Sequence, residues 1–356
     1  MERQPIALRP DNFSSLARTP WAGTRLLAHY KRAVIANSDP LGRVGESWEL
    51  SVSDELPSTT ADGRLLRDVL AEQPEQALGD EARLGRLTTA LLVKWLDAAD
   101  ELSLQIHPQD DYSGLAADET GKVEAWYVVA AAPDAGFFFG FRPGVRATDV
   151  RAVLASDGDL RACMEWVPAA PGDFALITPG LPHAVGRGLT LIEPQRVLPG
   201  KRALTYRYWD FGRRYDERGQ PSSQGQPRAL HLEHALAVTA FEQVTDREWL
   251  ARRRARCGYP QASSSARLEW LCGDAASARV RSDALRVARL YGTGALELPA
   301  LGSLCSLTVV EGELRLGSGA RAMTIPGGTT VALPACLGAQ PVELSGAHAL
   351  LCSTLG

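Results

Sequence analysis

Hydrophobic positions in the first part of the chain come in short runs broken by Gly, Pro and Asp, not in long helical periods. The pattern predicts strands at Ser47–Ser51, Ser103–His107, Ala125–Ala130, Phe137–Phe139, Phe174–Ile177, Leu189–Glu193 and Thr205–Tyr208. The clearest is Asp100–Pro108, which alternates strictly. Leu102, Leu104 and Ile106 point one way, and Ser103, Gln105 and His107 the other. Two patches have helical spacing instead. Leu65, Leu66, Val69 and Leu70 follow the candidate cap Asp62, and the patch continues past Pro74 with Leu78, Leu84 and Leu87, predicting helical segments near 62–90. Leu232, Ala235 and Leu236 predict another within 228–241.

The polar stretch Gly219–Gln226 reads as an exposed loop, and the arginine-rich stretch up to Arg256 as a solvated linker. Short β-like runs then return at Ser306–Val310, Glu313–Leu316, Thr330–Leu333 and Val342–Leu344. The expectation is a mainly β protein with two units. A larger one spans 1–245, with small helical insertions, and a smaller β domain without metal ligands spans 246–356.

Composition narrows the class. The 356 residues are 45% hydrophobic and 22% charged, ordinary globular values. A net charge of −4 argues against a broad nucleic-acid-binding surface. No long apolar run predicts a membrane span, and the N-terminus lacks an apolar signal core, so a cytoplasmic location is expected. The six cysteines form no C-x-x-C pair and read as reduced thiols. Gly121-Lys122 is followed by Val123, which breaks the Walker pattern, and neither a G-x-G-x-x-G nor a G-x-S-x-G motif occurs.

Candidate chemistry comes from the six histidines. An amide and an imidazole on one face of a strand, at Gln105 and His107, offer chelating geometry if that face meets a cavity. Glu124 opens another predicted strand, and His183 follows a Pro-Gly turn. Gln105, His107, Glu124 and His183 together make a four-ligand N/O set suited to Zn²⁺, with other divalent metals admissible. His29, His231, His234 and His348 read as surface or structural.

The ordered motifs resemble a known family. They are Pro20–Thr24, Gly45–Ser51, Leu92–Ala98, Leu102–Pro108, Gly121–Tyr127, Gly172-Asp-Phe with Gly180–Ala184, and Thr205–Asp210. The L-S-x-Q-x-H-P run followed by G-K-x-E-x-W-Y resembles type I mannose-6-phosphate isomerases (phosphomannose isomerases) of the shorter bacterial kind, within the cupin superfamily. The resemblance implies a double-stranded β-helix, or jelly roll, and a zinc-dependent interconversion of mannose 6-phosphate and fructose 6-phosphate through an enediol(ate). It places metal ligands on Gln105, His107, Glu124 and His183. Catalytic groups fall on Arg207, Glu193 and Lys122, and phosphate and sugar contacts on Ser103, Lys94, Lys122 and Ser51. The implied partner is a small sugar phosphate, with no nucleic acid or membrane, and the chain a monomer or weak homodimer.

One segment departs from the family pattern. Arg196–Ala203 replaces the usual Ser-Asp pair, and its Arg196, Lys201 and Arg202 offer alternative phosphate contacts. Two other readings share the same ligands: a non-haem iron oxygenase using His107, Glu124 and His183 as a facial triad, and a non-catalytic sugar-phosphate-binding protein.

Overall fold

The computed structural model describes residues 4–35, 42–244, 246–260 and 265–355. Two facing sheets carry the first unit. One runs, in spatial order, Arg254–Arg256, Asp173–Ile177, Lys122–Ala131, Leu189–Val197, Leu91–Asp97 and Glu46–Leu50. The other runs Tyr206–Trp209, Leu104–Ile106, His183–Val185, Gly136–Phe141 and Met164–Pro168. Every neighbouring pair in both sheets is antiparallel. This is the two-sheet architecture of a jelly roll, and it matches the expected fold class.

Alternation along the strands sorts the residues into layers. In Lys122–Ala131, Trp126 and Val128 join the core between the two sheets. Val123, Ala125, Tyr127 and Val129 point the other way, into a second core shared with Leu285, Leu350 and Cys352 of the C-terminal unit. The C-terminal sheet thus covers the outer face of the six-stranded sheet. Strands buried on both faces lose hydrophobic alternation. For that reason Leu91–Asp97, an unbroken run of buried residues, escaped the strand prediction.

The C-terminal unit is an eight-stranded sheet dominated by Leu285–Leu298, Cys305–Leu316 and Gln340–Thr354. Strand pairings cross the division expected at residue 245. Ile6–Ala7 pairs with Val331–Ala332 of the C-terminal sheet, and Arg254–Arg256 pairs with Asp173–Ala175 of the first unit. The arginine-rich segment is therefore part of a sheet edge and not simply a linker.

Helices interrupt the strands where the sequence pattern placed them, but in shorter pieces. Leu66–Ala71, Pro74–Leu78 and Asp80–Arg83 occupy the first region. Gly79 breaks the second piece from the third at φ +58°, and a Cβ there would lie 2.0 Å from the Gly302 carbonyl oxygen. Leu232–Val238 occupies the second region, and a further short helix, Phe241–Val244, begins where that region ends. The helix Ala147–Ala155 was not anticipated; its Ala147, Val150, Val153 and Leu154 pack against the inner core, but only Val150 is fully buried. The six cysteines are free thiols.

Candidate metal centre

Strand register assembles the site. His183 lies directly opposite Gln105 on one side and Phe139 on the other, and Gln105 in turn lies opposite Arg207. Opposed residues on antiparallel strands project from the same face. On the facing sheet, Glu124 is opposite Gln195, and Glu193 is opposite Lys94, which is itself opposite Trp48. Both sets point into the space between the sheets.

His107, Glu124 and His183 are each at most 1% exposed, and one ligand atom from each lies within 4.8 Å of the others. His107 Nε2 is 3.1 Å from Glu124 Oε2, and His183 Nε2 is 3.7 Å from the same oxygen. The far ring nitrogens are fixed by main-chain carbonyls. His107 Nδ1 donates to Leu204 O at 3.2 Å and His183 Nδ1 to Leu181 O at 2.8 Å. A carbonyl can only accept, so both rings carry their proton on Nδ1 and turn the Nε2 lone pair inward. His107 Nε2 and Glu124 Oε2 are buried without a hydrogen-bond partner. Two acceptors facing each other in a dry site are what a bound cation would satisfy, so the residues fit a divalent metal.

The electrostatics agree. Burial, together with His107, pushes His183 down to about 3, and burial also lowers His107, which keeps the imidazoles neutral and ligating. Burial works against ionisation of Glu124. Lys122 and His107 outweigh it and hold the carboxyl well below its usual range. Lys122 Nζ sits 2.5 Å from Glu124 Oε1, leaving Oε2 to face the histidines. Gly121, just before it, packs against the Pro108 carbonyl, where a Cβ would lie 2.0 Å from the oxygen. The Gly-Lys pair is thus a close approach between two ligand-bearing segments.

Gln105 contributes differently from the expected oxygen ligand. Its Nε2 lies 3.5 Å from His183 Nε2, while Ser103 Oγ donates to its Oε1 at 3.3 Å. As a ligand the amide would turn to present Oε1. Ser103 is therefore brought to the site as a neighbour of Gln105.

Glu193 is 5% exposed and lies in the same space. Trp126 Nε1 donates to its Oε2 at 2.9 Å. Burial, then the charge of Glu124, raises its pKa to about 7. Gln195 had no assigned role in the sequence reading. Its Nε2 donates to Glu124 Oε1 at 2.9 Å and also to Glu193 Oε1, so it ties the two carboxylates together. The signal was present in Glu193-Pro-Gln195, since residues two apart on a strand share a face.

Lys94 lies over the Trp48 ring at 4.1 Å and 3.7 Å from Glu46 Oε2. Trp48 Nε1 donates to the same Glu46 oxygen at 2.7 Å. Arg207 projects from the same face as Gln105 but turns toward the rim, where its Nη1 donates to Ala229 O at 2.7 Å. Burial and neighbouring Arg228 lower it to about 10. Ser51 is placed differently from expectation. The strand ends at Leu50, and Ser51 Oγ accepts from Ser53 N at 3.2 Å, a local turn contact. The departing Arg196–Ala203 segment is also engaged elsewhere. Arg196 pairs with Asp110 at 2.6 Å and Arg202 pairs with Glu119, so neither guanidinium is free for phosphate.

Fold and site together define a cupin-type protein with a buried His–Glu–His metal-binding group. The family model for the catalytic domain of type I phosphomannose isomerase matches residues 20–125. A mannose-6-phosphate isomerase of Streptococcus mutans is 30% identical over 229 residues, and a probable mannose-6-phosphate isomerase of Bacillus subtilis is 29% identical over 229. Each alignment covers 63% of this chain and 66% of the relative, so the matched part spans about two thirds of their length. The crystal structure of the Bacillus subtilis mannose 6-phosphate isomerase superposes with a TM-score of 0.75 at 24% identity. That match covers 98% of this chain and 99% of the other, and extends the likeness in fold through the C-terminal unit. Over the matched residues the chain is similar to type I phosphomannose isomerases, and its fold is like theirs throughout.

Proposed function

We propose that this chain is a zinc-dependent isomerase that interconverts mannose 6-phosphate and fructose 6-phosphate. The observation that carries the metal dependence is the pair of buried, unpartnered acceptors, His107 Nε2 and Glu124 Oε2, converging with His183. The substrate assignment rests on the named relatives and on cationic side chains beside that centre. His107, Glu124 and His183 would hold the metal, with Gln105 as fourth ligand after its amide turns. Bound there, a divalent ion supplies positive charge for sugar oxygens that become electron-rich as the C2 proton leaves.

The remaining work belongs to side chains. Aldose–ketose isomerisation removes a proton from one carbon and returns it to the next, so one base must accept and donate in turn. Glu193 suits this role. Its pKa of about 7 makes both protonation states accessible near neutrality, and Trp126 and Gln195 fix its two oxygens. Lys122 holds Glu124 ionised and adds a positive charge within the site. Lys94, poised over Trp48, and Arg207, at the rim, supply charge for the dianionic phosphate, which orients the reacting carbons.

The test is a coupled assay of mannose 6-phosphate conversion, with and without chelator, on the native chain and on His107→Ala. Chelation and the substitution should each abolish turnover while the fold, followed by circular dichroism, persists. Turnover that survives complete removal of metal would overturn the proposal. So would oxygen uptake restored only by Fe²⁺.

A further inference from the structure

A separate cavity of about 300 Å³ opens where the edge strands Met164–Pro168 and Arg254–Arg256 of the two sheets approach each other. None of the metal-centre residues lines it. Its wall is apolar at Phe137, Val167, Pro168 and Phe174, and its polar groups are Arg254, Arg256 and Asp173.

Arg254 lies opposite Ala175, an inner-face residue, so it projects between the sheets, with its guanidinium 5.7 Å from the Phe139 ring centre. Its Nε is buried with no hydrogen-bond partner, and the residue forms no ion pair among the described residues. Of the neighbouring acids, Asp173 lies opposite Arg256 and offsets part of the charge. Asp173 accepts from Ala170 N at 3.0 Å, and Glu165 pairs with Arg247 at 3.5 Å. Arg253, next in sequence, stacks 3.3 Å from the Trp249 ring centre and donates to Trp249 O, so it is spent on structure. The cavity therefore carries a net positive charge from Arg254 and Arg256, only partly offset by Asp173, beside a hydrophobic wall.

We infer that this cavity is a second ligand site, for a small organic acid whose apolar body rests on Phe137, Val167 and Pro168 and whose carboxylate is received by the guanidinium groups of Arg254 and Arg256. The volume is at the small end of ligand pockets and admits a single-ring acid. The site is independent of the isomerase reading.

The probe is 4-fluorophenylacetate, observed by fluorine NMR on the metal-loaded 356-residue chain, with neutral 4-fluorophenethyl alcohol as the isosteric control. The acid should bind and the alcohol bind at least about tenfold more weakly. Arg254→Gln should weaken the acid about tenfold or more, and Ala251→Trp, which fills the cavity from its exposed rim, should abolish binding. Thermal melting checks that each variant folds. If Arg254→Gln does not, Arg254→Lys, which keeps one charge but cannot form the two-pronged guanidinium–carboxylate pair, makes the same test. Equal binding of acid and alcohol would overturn the assignment. So would unchanged binding in the Arg254 variant, or no binding of the acid at millimolar concentration.

Discussion

Gln195 donates through one nitrogen to both Glu124 and Glu193, so the carboxylate that faces the histidines and the carboxylate nearest neutrality are held by a single side chain. Two buried carboxylates repel each other, and an amide donor between them relieves that repulsion while fixing both. Gln195→Leu should therefore lower kcat by about ten- to a hundredfold. Gln195→Glu should be worse, because it adds a third acid. Steady-state kinetics with metal content measured in parallel would check both, and unchanged kcat at full metal occupancy would refute the link.

The pH dependence follows from Glu193. A carboxyl pushed up to about 7 is protonated in mild acid and then cannot accept a proton. Turnover should fall as pH drops through the neutral range. Trp126→Phe removes the indole donor that favours the carboxylate, so the acid limb should move to higher pH. A pH–rate profile of native chain and variant decides this, with a shift toward lower pH as the contrary result.

Stripping the metal should destabilise the fold without dissolving it. Glu124 Oε2 and His107 Nε2 are then left as facing acceptors. At a metal concentration a thousandfold above Kd, binding adds about 4 kcal/mol to stability. Differential scanning calorimetry should show a lower Tm in chelator, with the far-ultraviolet strand spectrum retained. An identical Tm would mean that these residues hold no metal.

His348 gives a second, separate pH effect. It is 4% exposed, lies between the hydroxyls of Tyr127 and Tyr259, and is pushed down to about 3 by burial. Below the ordinary histidine pKa the unfolded chain binds a proton that the folded chain refuses, so stability is full above about 6.5 and declines as pH falls toward 3. The slope attributable to this residue is about 1.4 kcal/mol per pH unit. Urea melts of native chain and His348→Gln between pH 4 and 7 should show a flatter slope in the variant.

The two units are also joined by charge. Lys31 Nζ is 2.7 Å from Glu49 Oε1, both nearly fully buried, and Lys31 also donates to Pro10 O. Thr330 of the C-terminal sheet donates to Glu49 Oε2 at 2.9 Å. Lys31→Met leaves Glu49 as an unpaired buried charge and should cost about 3–5 kcal/mol. A double variant with Glu49→Leu should recover much of that loss in the same denaturant melts.

The sequence by itself determined a good deal. Strict alternation at Leu102–His107 placed Gln105 and His107 on one face, and the ordered motifs pointed to the β architecture and to His107, Glu124 and His183, which the fold brings together. Local spacing could do this because a strand's side-chain period is fixed by backbone geometry. It could not show which residues meet across strands. Gln195 and Glu124 are 71 residues apart, and only the register between their strands brings them together. Nor could it show that Leu91–Asp97 is a strand, because the C-terminal sheet buries its outer face and erases the alternation. Ser51 and Arg207 matched motif positions, yet a turn beyond Leu50 and a carbonyl at Ala229 decide where their side chains point. Residue types and local period are properties of the chain. Register, two-sided burial and the competition for hydrogen-bond partners belong to the folded molecule.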